Sequence, residues 1–492
     1  MTDGEKSALL GDEDRIFMFI ISSGTTGKSK KIPLSDQGAK DMQSQLYYGP
    51  YRWCLQRDLV PWSLKKTMSV NNGHTVQYTK SGHVFGVASN VFFSKAMTLF
   101  APLYTSPVIS MQVKNEFESQ YIHTLFGLRD KHITVIATVF VHNFLGMMRR
   151  MEVFQNDLVN DIRRGRIKDD LNISEHVRAE LNAQLTPTPE RAEEIKNEFA
   201  KGFKGIIPRL WPDVKSISGL WSGSTNEMYY KEAKALTGPD VPIVSFIYSA
   251  SEGFMGSNLE CTRPGPPRYT LIPDVMFFEF LPIVNDRIPD LDEINPRELL
   301  LSEQLELNKT YEVIITNSSG FYRFRLGDVV RVVGFYQQAP QIEFLFRSGQ
   351  NLNVNAVKIS EEVLFRALRE AADRWSSTLK DYTAAGSQFT PSHQGLLDPH
   401  FLLFLELDGP VLTEEQTGLV DDILLQQDEE YATFRKLGSI AKIRVYQVQP
   451  GAFSRFRAHL LATTDVTADQ FKMPRVLKSS DRVDWFLENV RN

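Results

Sequence analysis

The run Phe17-Met-Phe-Ile-Ile21 opens directly into Ser22-Ser-Gly-Thr-Thr-Gly-Lys-Ser-Lys-Lys31. The apolar segment reads as a buried strand, and it empties into a loop of small hydroxyl residues and glycines that ends in lysines. Such a junction constrains the fold, because it sets backbone N–H groups at the end of a strand. Gly24 and Gly27 let the backbone approach a ligand and turn its N–H groups inward. Ser22, Ser23, Thr25 and Thr26 add hydroxyl donors, and Lys28, Lys30 and Lys31 add positive charge. A triphosphate suits this loop. A Walker A loop is excluded, because the glycines stand only three apart. Taken alone, the loop leaves a Ser/Gly-rich surface turn open as the alternative.

At 492 residues the chain exceeds one hydrophobic core, so two or three domains are expected. The net charge of −5 gives no global field for nucleic acid or an anionic membrane, and no nucleic-acid partner is expected. Arg149-Arg150 and Arg163-Arg164-Gly-Arg166-Ile-Lys168 are interleaved with acids and read as solvated helix faces. Cys54 and Cys261 are the only cysteines, which fits a reducing, cytoplasmic compartment. The longest apolar stretch, Ile133 to Met148, contains His142 and Asn143 and is too short to span a bilayer, so no membrane span is expected. The histidines show no zinc-ligand spacing.

Strand-like runs alternate with amphipathic helices, which predicts an α/β fold. Ile133 to Val141 reads as a strand covered on both faces. Thr188-Pro189 reads as a helix start, with a hydroxyl N-cap and proline at the first helical position, running to Phe203. Val244 to Ile247 reads as a short strand that passes into a loop, Tyr248 to Gly253. Tyr311 to Thr316, the turn Asn317–Gly320 and Phe321 to Arg325 read as a hairpin, with Val329 to Val333 a separate strand. The pattern changes at Ser348-Gly-Gln-Asn-Leu-Asn353. Beyond it follow a helix from Ser360 to Arg374, a strand from Phe401 to Leu407, a helix from Thr413 to Gln427 and a strand from Ile440 to Val448. The expected division is a large domain over 1–347 and a small α/β domain over 348–492.

Two further segments carry chemistry. In Tyr248-Ser249-Ala250-Ser251-Glu252-Gly253 an aromatic can stack a nucleobase and a carboxylate can hold magnesium; a strand-end turn with a buried tyrosine is the alternative. In Tyr322-Arg-Phe-Arg-Leu-Gly-Asp328, alternation puts Tyr322, Phe324 and Leu326 on one face and Arg323 and Arg325 on the other. Gly327 permits a turn, and Asp328 at an exposed strand end can accept both ribose hydroxyls. An Arg–Asp pair closing a hairpin is the alternative reading.

In this order and at these separations, the three segments resemble the signatures of adenylate-forming enzymes. Ile207-Pro-Arg-Leu-Trp-Pro212, Phe277-Phe-Glu-Phe-Leu-Pro282, Tyr311-Glu-Val-Ile-Ile-Thr316, Tyr322 to Phe335, Ala339-Pro340-Gln341 and Gln470-Phe-Lys-Met-Pro-Arg475 narrow the match. They resemble the Gretchen Hagen family of acyl-acid amido synthetases over nearly the whole chain. The resemblance implies a large N-terminal α/β adenylate-forming domain with mixed sheets and a small mobile C-terminal α/β domain. It implies ATP-dependent adenylation of a small carboxylic acid, then transfer of the acyl group to an amino acid amine, with ATP and Mg2+ required. It assigns phosphates to Ser22, Ser23, Gly24, Thr25, Thr26, Gly27 and Lys28, adenine stacking to Tyr248, magnesium to Glu252 and ribose to Asp328. A C-terminal lysine that reaches the site best matches Lys358, although the family's Asp-Ser-Asp-Lys is Asn355-Ala-Val-Lys here; Lys472 is a second candidate. Thr26-Gly27-Lys28 is nearer the general adenylate-forming pattern than that of plant members. Family members also carry a substantial segment before the phosphate loop, where 21 residues stand here, so a layer packed on the large domain is expected to be missing. A thiol-accepting ligase and a silent nucleotide- or acid-binding relative are the alternative functions. No motif names the acid, the amino acid or the oligomeric state.

Overall fold

The apolar segment Val135–Phe140 forms an inner strand of a four-stranded parallel sheet, ordered Thr67–Ser69, Val135–Phe140, Ser216–Leu220, Ile243–Val244. Its unbroken hydrophobicity follows from cover on both faces. Helices Glu116–Arg129, Val141–Val153 and Ser224–Thr237 pack around it, with Leu125, Ile136, Phe144 and Trp211 in the shared core. The Trp211 indole N–H donates to the Gly127 carbonyl at 2.9 Å, which satisfies the one polar atom of a fully buried ring. The computed structural model describes residues 16–21, 30–44, 66–70, 77–87, 98–221, 224–283, 295–348, 352–354, 357–390, 399–464, 466, 468 and 471–491. The helix expected after Thr188 spans Pro189–Ala200, but the Thr188 hydroxyl donates to the Ile162 carbonyl at 3.4 Å and does not cap it. Arg149, Arg163 and Arg166 lie on solvated faces and pair with Glu232, Glu193 and Asp169.

A second sheet has seven antiparallel strands, ordered Phe277–Pro282, Thr310–Thr316, Phe324–Tyr336, Ala339–Arg347, Tyr269–Leu271, Gly253–Ser257, Ile247–Ala250. The expected hairpin is present, yet Phe324–Tyr336 is one strand that absorbs Val329 to Val333. Gly327 does not turn the chain. With φ at 81° it accommodates a bulge, because the three residues between Arg325 and Val329 face the single residue between Glu312 and Ile314. Val244 to Ile247 is likewise not one strand. Ile243–Val244 closes the parallel sheet, and Ile247–Ala250 edges the antiparallel one. Ser245 marks the crossing: its hydroxyl meets the Tyr269 hydroxyl at 2.8 Å and its carbonyl accepts from Asn258 Nδ2 at 3.0 Å. Tyr248 therefore stands on a strand, not in a loop.

Strand Ile16–Ile21 pairs antiparallel with Lys31–Ser35 and parallel with Val84–Gly86. Met18 and Ile20 pack with Phe254 of the seven-stranded sheet.

The C-terminal sheet is mixed, ordered Arg444–Gln447, Phe401–Asp408, Thr378–Gly386, Val476–Leu477. Strand Phe401–Asp408 is apolar on both faces. Phe401, Leu403 and Leu405 meet helices Glu361–Ala372 and Glu414–Gln427; Leu402 and Phe404 meet helices Ala452–Thr463 and Ser480–Glu488. Ser360 caps the first of these helices, accepting from the Val363 N–H at 3.2 Å. Thr413 and Gln416 form a reciprocal capping box on the second. Among the described residues, no helix is long and apolar enough to cross a membrane.

Candidate active site

The bulge at Gly327 aims Asp328 across the sheet. Asp328 stands opposite Arg347 in the ladder and is 2% exposed. Its Oδ1 accepts from Arg347 Nε at 2.5 Å, and its Oδ2 accepts from the Tyr248 hydroxyl at 2.7 Å. Asp328 is thus a buried mid-strand residue, which corrects the expectation of an exposed strand end. Nor do Arg323 and Arg325 pair with it. They bind Glu279 and Glu312 in two-pronged pairs, at 2.7–3.0 Å and 2.6–2.9 Å.

Tyr248 is buried, stacked on Tyr269 with centroids 5.7 Å apart and tilted to Phe344 at 6.2 Å. Burial first, and then the Asp328 charge, pushes its phenol well above the ordinary range. The hydroxyl stays protonated and donates.

Glu252 occupies the tip of the tight hairpin between Ile247–Ala250 and Gly253–Ser257, where Ala250 faces Gly253. Its main-chain carbonyl accepts from Asn317 Nδ2 at 2.9 Å. Its Oε2 is buried and has no hydrogen-bond partner among the described residues. Burial pushes the carboxyl up, while Arg347 and Lys30 pull it down. A shallow cleft adjoins it, between helix Asp36–Gln43 and the turn at Asn317–Ser319. Among the described residues no group of three or more His, Cys, Asp or Glu could hold a metal alone. Magnesium needs only one or two carboxylates when substrate phosphates complete its shell, so the unpartnered Oε2 fits that ion.

Lys472 reaches this region from the C-terminal part. Its Nζ lies 4.9 Å from the ring centroid of Phe140, at the carboxyl end of the inner parallel strand. Ligands of open α/β sheets sit at that end. The side chain is exposed to solvent, yet protein surrounds it closely enough to desolvate its ammonium. Burial, and then the Arg347 charge, lowers its pKa to about 8, with Asp328 and Glu252 opposing. His142 stacks on Phe140 at 5.2 Å beside it.

The structure thus brings together Tyr248, Glu252, Asp328 and Lys472. Ser22, Ser23, Gly24, Thr25, Thr26, Gly27 and Lys28 lie outside the described residues. Lys358 stands on strand Val357–Ile359 opposite Asn353, and its side chain also lies outside them. Arg347 is the member that sequence reasoning missed. Counting outward from the Gln337-Gln338 turn does place it opposite Asp328, but only because bulges on the two strands compensate.

Residues 1–243 match the GH3 family N-terminal domain, 269–347 the GH3 family central domain and 362–481 the GH3 family C-terminal domain. A jasmonoyl–L-amino acid synthetase of Nicotiana attenuata is 30% identical, over 96% of this chain and 82% of that protein. A 4-substituted benzoates–glutamate ligase of Arabidopsis thaliana is 29% identical, over 97% and 84%. The solved structure of an acyl acid amido synthetase superposes with a TM-score of 0.85 at 25% identity, covering 100% of this chain and 84% of that one.

Proposed function

Because the chain belongs to the GH3 family of acyl-acid amido synthetases, we propose that it activates a small carboxylic acid with ATP and joins the acyl group to the amine of an amino acid. It is an acid–amino acid ligase, as its relatives are named. A carboxylate does not react with an amine in water, because the group that must leave is oxide. Adenylation replaces oxide with AMP. The acid attacks the α-phosphate, pyrophosphate departs, and the neutral amine then displaces AMP from the acyl carbon.

The chemistry is positioning and charge compensation. Tyr248 and Asp328 hold the nucleoside, and Arg347 fixes the Asp328 carboxylate in place through its ion pair. Lys472 brings its ammonium to the phosphates. Glu252 would hold magnesium, which when bound would supply neutralisation of phosphate charge. The loop from Ser22 to Lys28 donates to the departing pyrophosphate. Two half-reactions ask for two arrangements of one site; Lys472 serves the arrangement described above, and Lys358, on the hairpin at the start of the C-terminal part, serves the other. Two cysteines in 492 residues suit the cytoplasm as its setting.

The observation that carries this reading is a buried Glu252 carboxylate oxygen with no partner among the described residues, within electrostatic reach of a lysine of lowered pKa. The test is acid-dependent ATP–pyrophosphate exchange over a panel of carboxylic acids, first without amine. Adding amino acids should then yield an amide and AMP, read by mass spectrometry. Nucleotide binding with no exchange for any acid overturns the reading in favour of a silent relative. Exchange followed by a thioester, and no amide, overturns the amine acceptor.

A further inference from the structure

Lys472 is held from both sides by arginines of its own part of the chain, and each of these reaches the larger part. Upstream, Arg457 donates from Nη1 and Nη2 to Glu116 Oε2 and Oε1 at 2.8 and 2.9 Å. The same guanidinium donates to the Ala468 carbonyl at 3.3 Å and lies 5.3 Å from the Phe471 ring centroid, so it fixes the approach to Lys472. Downstream, Arg475 is 2% exposed. Its Nη1 donates to Asp381 Oδ1 and the Tyr382 carbonyl, and its Nη2 donates to the Tyr229 hydroxyl at 3.2 Å. The Tyr229 hydroxyl in turn donates to Asp381 Oδ2 at 3.2 Å.

We propose that Glu116 and Tyr229 are positioning residues for Lys472: together they latch the C-terminal part in the arrangement that serves acid activation and not amine transfer. The proposal rests on the ligase reading above.

The partners left behind on release explain why such a latch can open. Arg475 keeps Asp381 and Tyr382, which belong to its own part, and loses only a phenolic oxygen. Glu116 keeps Arg150, whose Nη2 lies 3.6 Å away. No buried charge is stranded on either side, and stranding a charge is what makes breaking a buried pair costly. What is lost is the two hydrogen bonds of the Tyr229 hydroxyl and one partly exposed ion pair, each modest. A latch of that strength can be made and broken in every catalytic cycle.

The test uses the full chain with Tyr229→Phe, which keeps the ring and removes the hydroxyl, and Glu116→Gln, which weakens the other anchor independently. Three readouts apply: ATP–pyrophosphate exchange, single-turnover aminolysis of a preformed acyl-adenylate, and the pH midpoint of Lys472 amine labelling by mass spectrometry. In each variant exchange should fall on the order of tenfold, with aminolysis within about twofold of the parent. The Lys472 midpoint should move from about 8 toward the ordinary lysine range. Parental exchange and a parental midpoint in both variants overturn the latch, as does equal loss in both half-reactions. A parent that shows no exchange at all overturns the ligase reading instead, and the labelling midpoint still decides the latch.

Discussion

The Tyr248 hydroxyl donates to Asp328 Oδ2 at 2.7 Å, and so ties an edge strand to an inner strand of one sheet across 80 positions of sequence. Asp328 spends its other oxygen on Arg347. The three side chains therefore act as one unit, and a change in any of them disturbs the geometry of the others.

Asp328→Asn should lower both ATP affinity and stability. It removes the counter-charge of Arg347 and an acceptor of Tyr248, in a setting that is 2% exposed, so a loss of about 2–3 kcal/mol is expected. Urea unfolding and calorimetric titration of ATP measure the two effects separately. An Asn variant with parental ATP affinity excludes the ribose role, whatever happens to its stability.

Glu252→Gln should separate activity from stability in the opposite sense. The folded protein pushes this carboxyl up, so ionising it in place is unfavourable and a neutral isostere relieves that cost. The melting temperature should hold or rise slightly. Exchange should fall steeply, and raising the magnesium concentration should restore part of it. Exchange at the parental rate returns Glu252 to the role of a turn residue.

Local chemistry was legible in the sequence where it lay within one short segment. Tyr248 and Glu252 stand four residues apart, and Asp328 closes a segment of its own, so all three could be read without knowing the fold. The helix starts at Ser360 and Thr413 were readable for the same reason. Arg347 was not, because it meets Asp328 only across the ladder, 19 positions on in sequence, and its own segment carries no other sign of chemistry. The strand from Val244 was misread because four apolar or small residues carry no record of passing from one sheet to another. The Lys472 segment was visible, but its approach to Phe140 depends on how the C-terminal part docks through Arg457 and Arg475.

Lys472→Ala and Lys358→Ala should damage different half-reactions. Lys472 sits among Arg347, Asp328 and Glu252 in the arrangement described, so its loss should depress pyrophosphate exchange far more than aminolysis of a preformed acyl-adenylate. A charge delivered into a partly dehydrated site acts more strongly than one in bulk water, and a fall on the order of a hundredfold is expected. Lys358→Ala should spare exchange and slow aminolysis. A Lys472 variant impaired equally in both steps would assign this lysine to substrate binding alone.

The pH dependence offers a check with two opposite signs. The Lys472 pKa is lowered to about 8, first by burial and then by Arg347, against an ordinary value of about 10.4. For activity, the charged form is the one that meets phosphate, so kcat/KM for ATP in the exchange reaction should fall as pH rises through about 8. Bound phosphates favour the ammonium, so the corresponding break in kcat should lie at higher pH. For stability the sign reverses. Between about 8 and 10.4 the unfolded chain binds a proton at this position that the folded chain does not, so this residue makes the fold relatively more stable as pH climbs through that window. Comparing the parent with Lys472→Gln isolates the residue from every other titrating group. The unfolding free energy of the parent should gain on that of the variant from pH 8 to pH 10, while its exchange activity declines over the same range. A parent and variant whose stabilities run parallel across that window would mean that Lys472 titrates as an ordinary surface lysine, and that the C-terminal part does not hold it in the cleft.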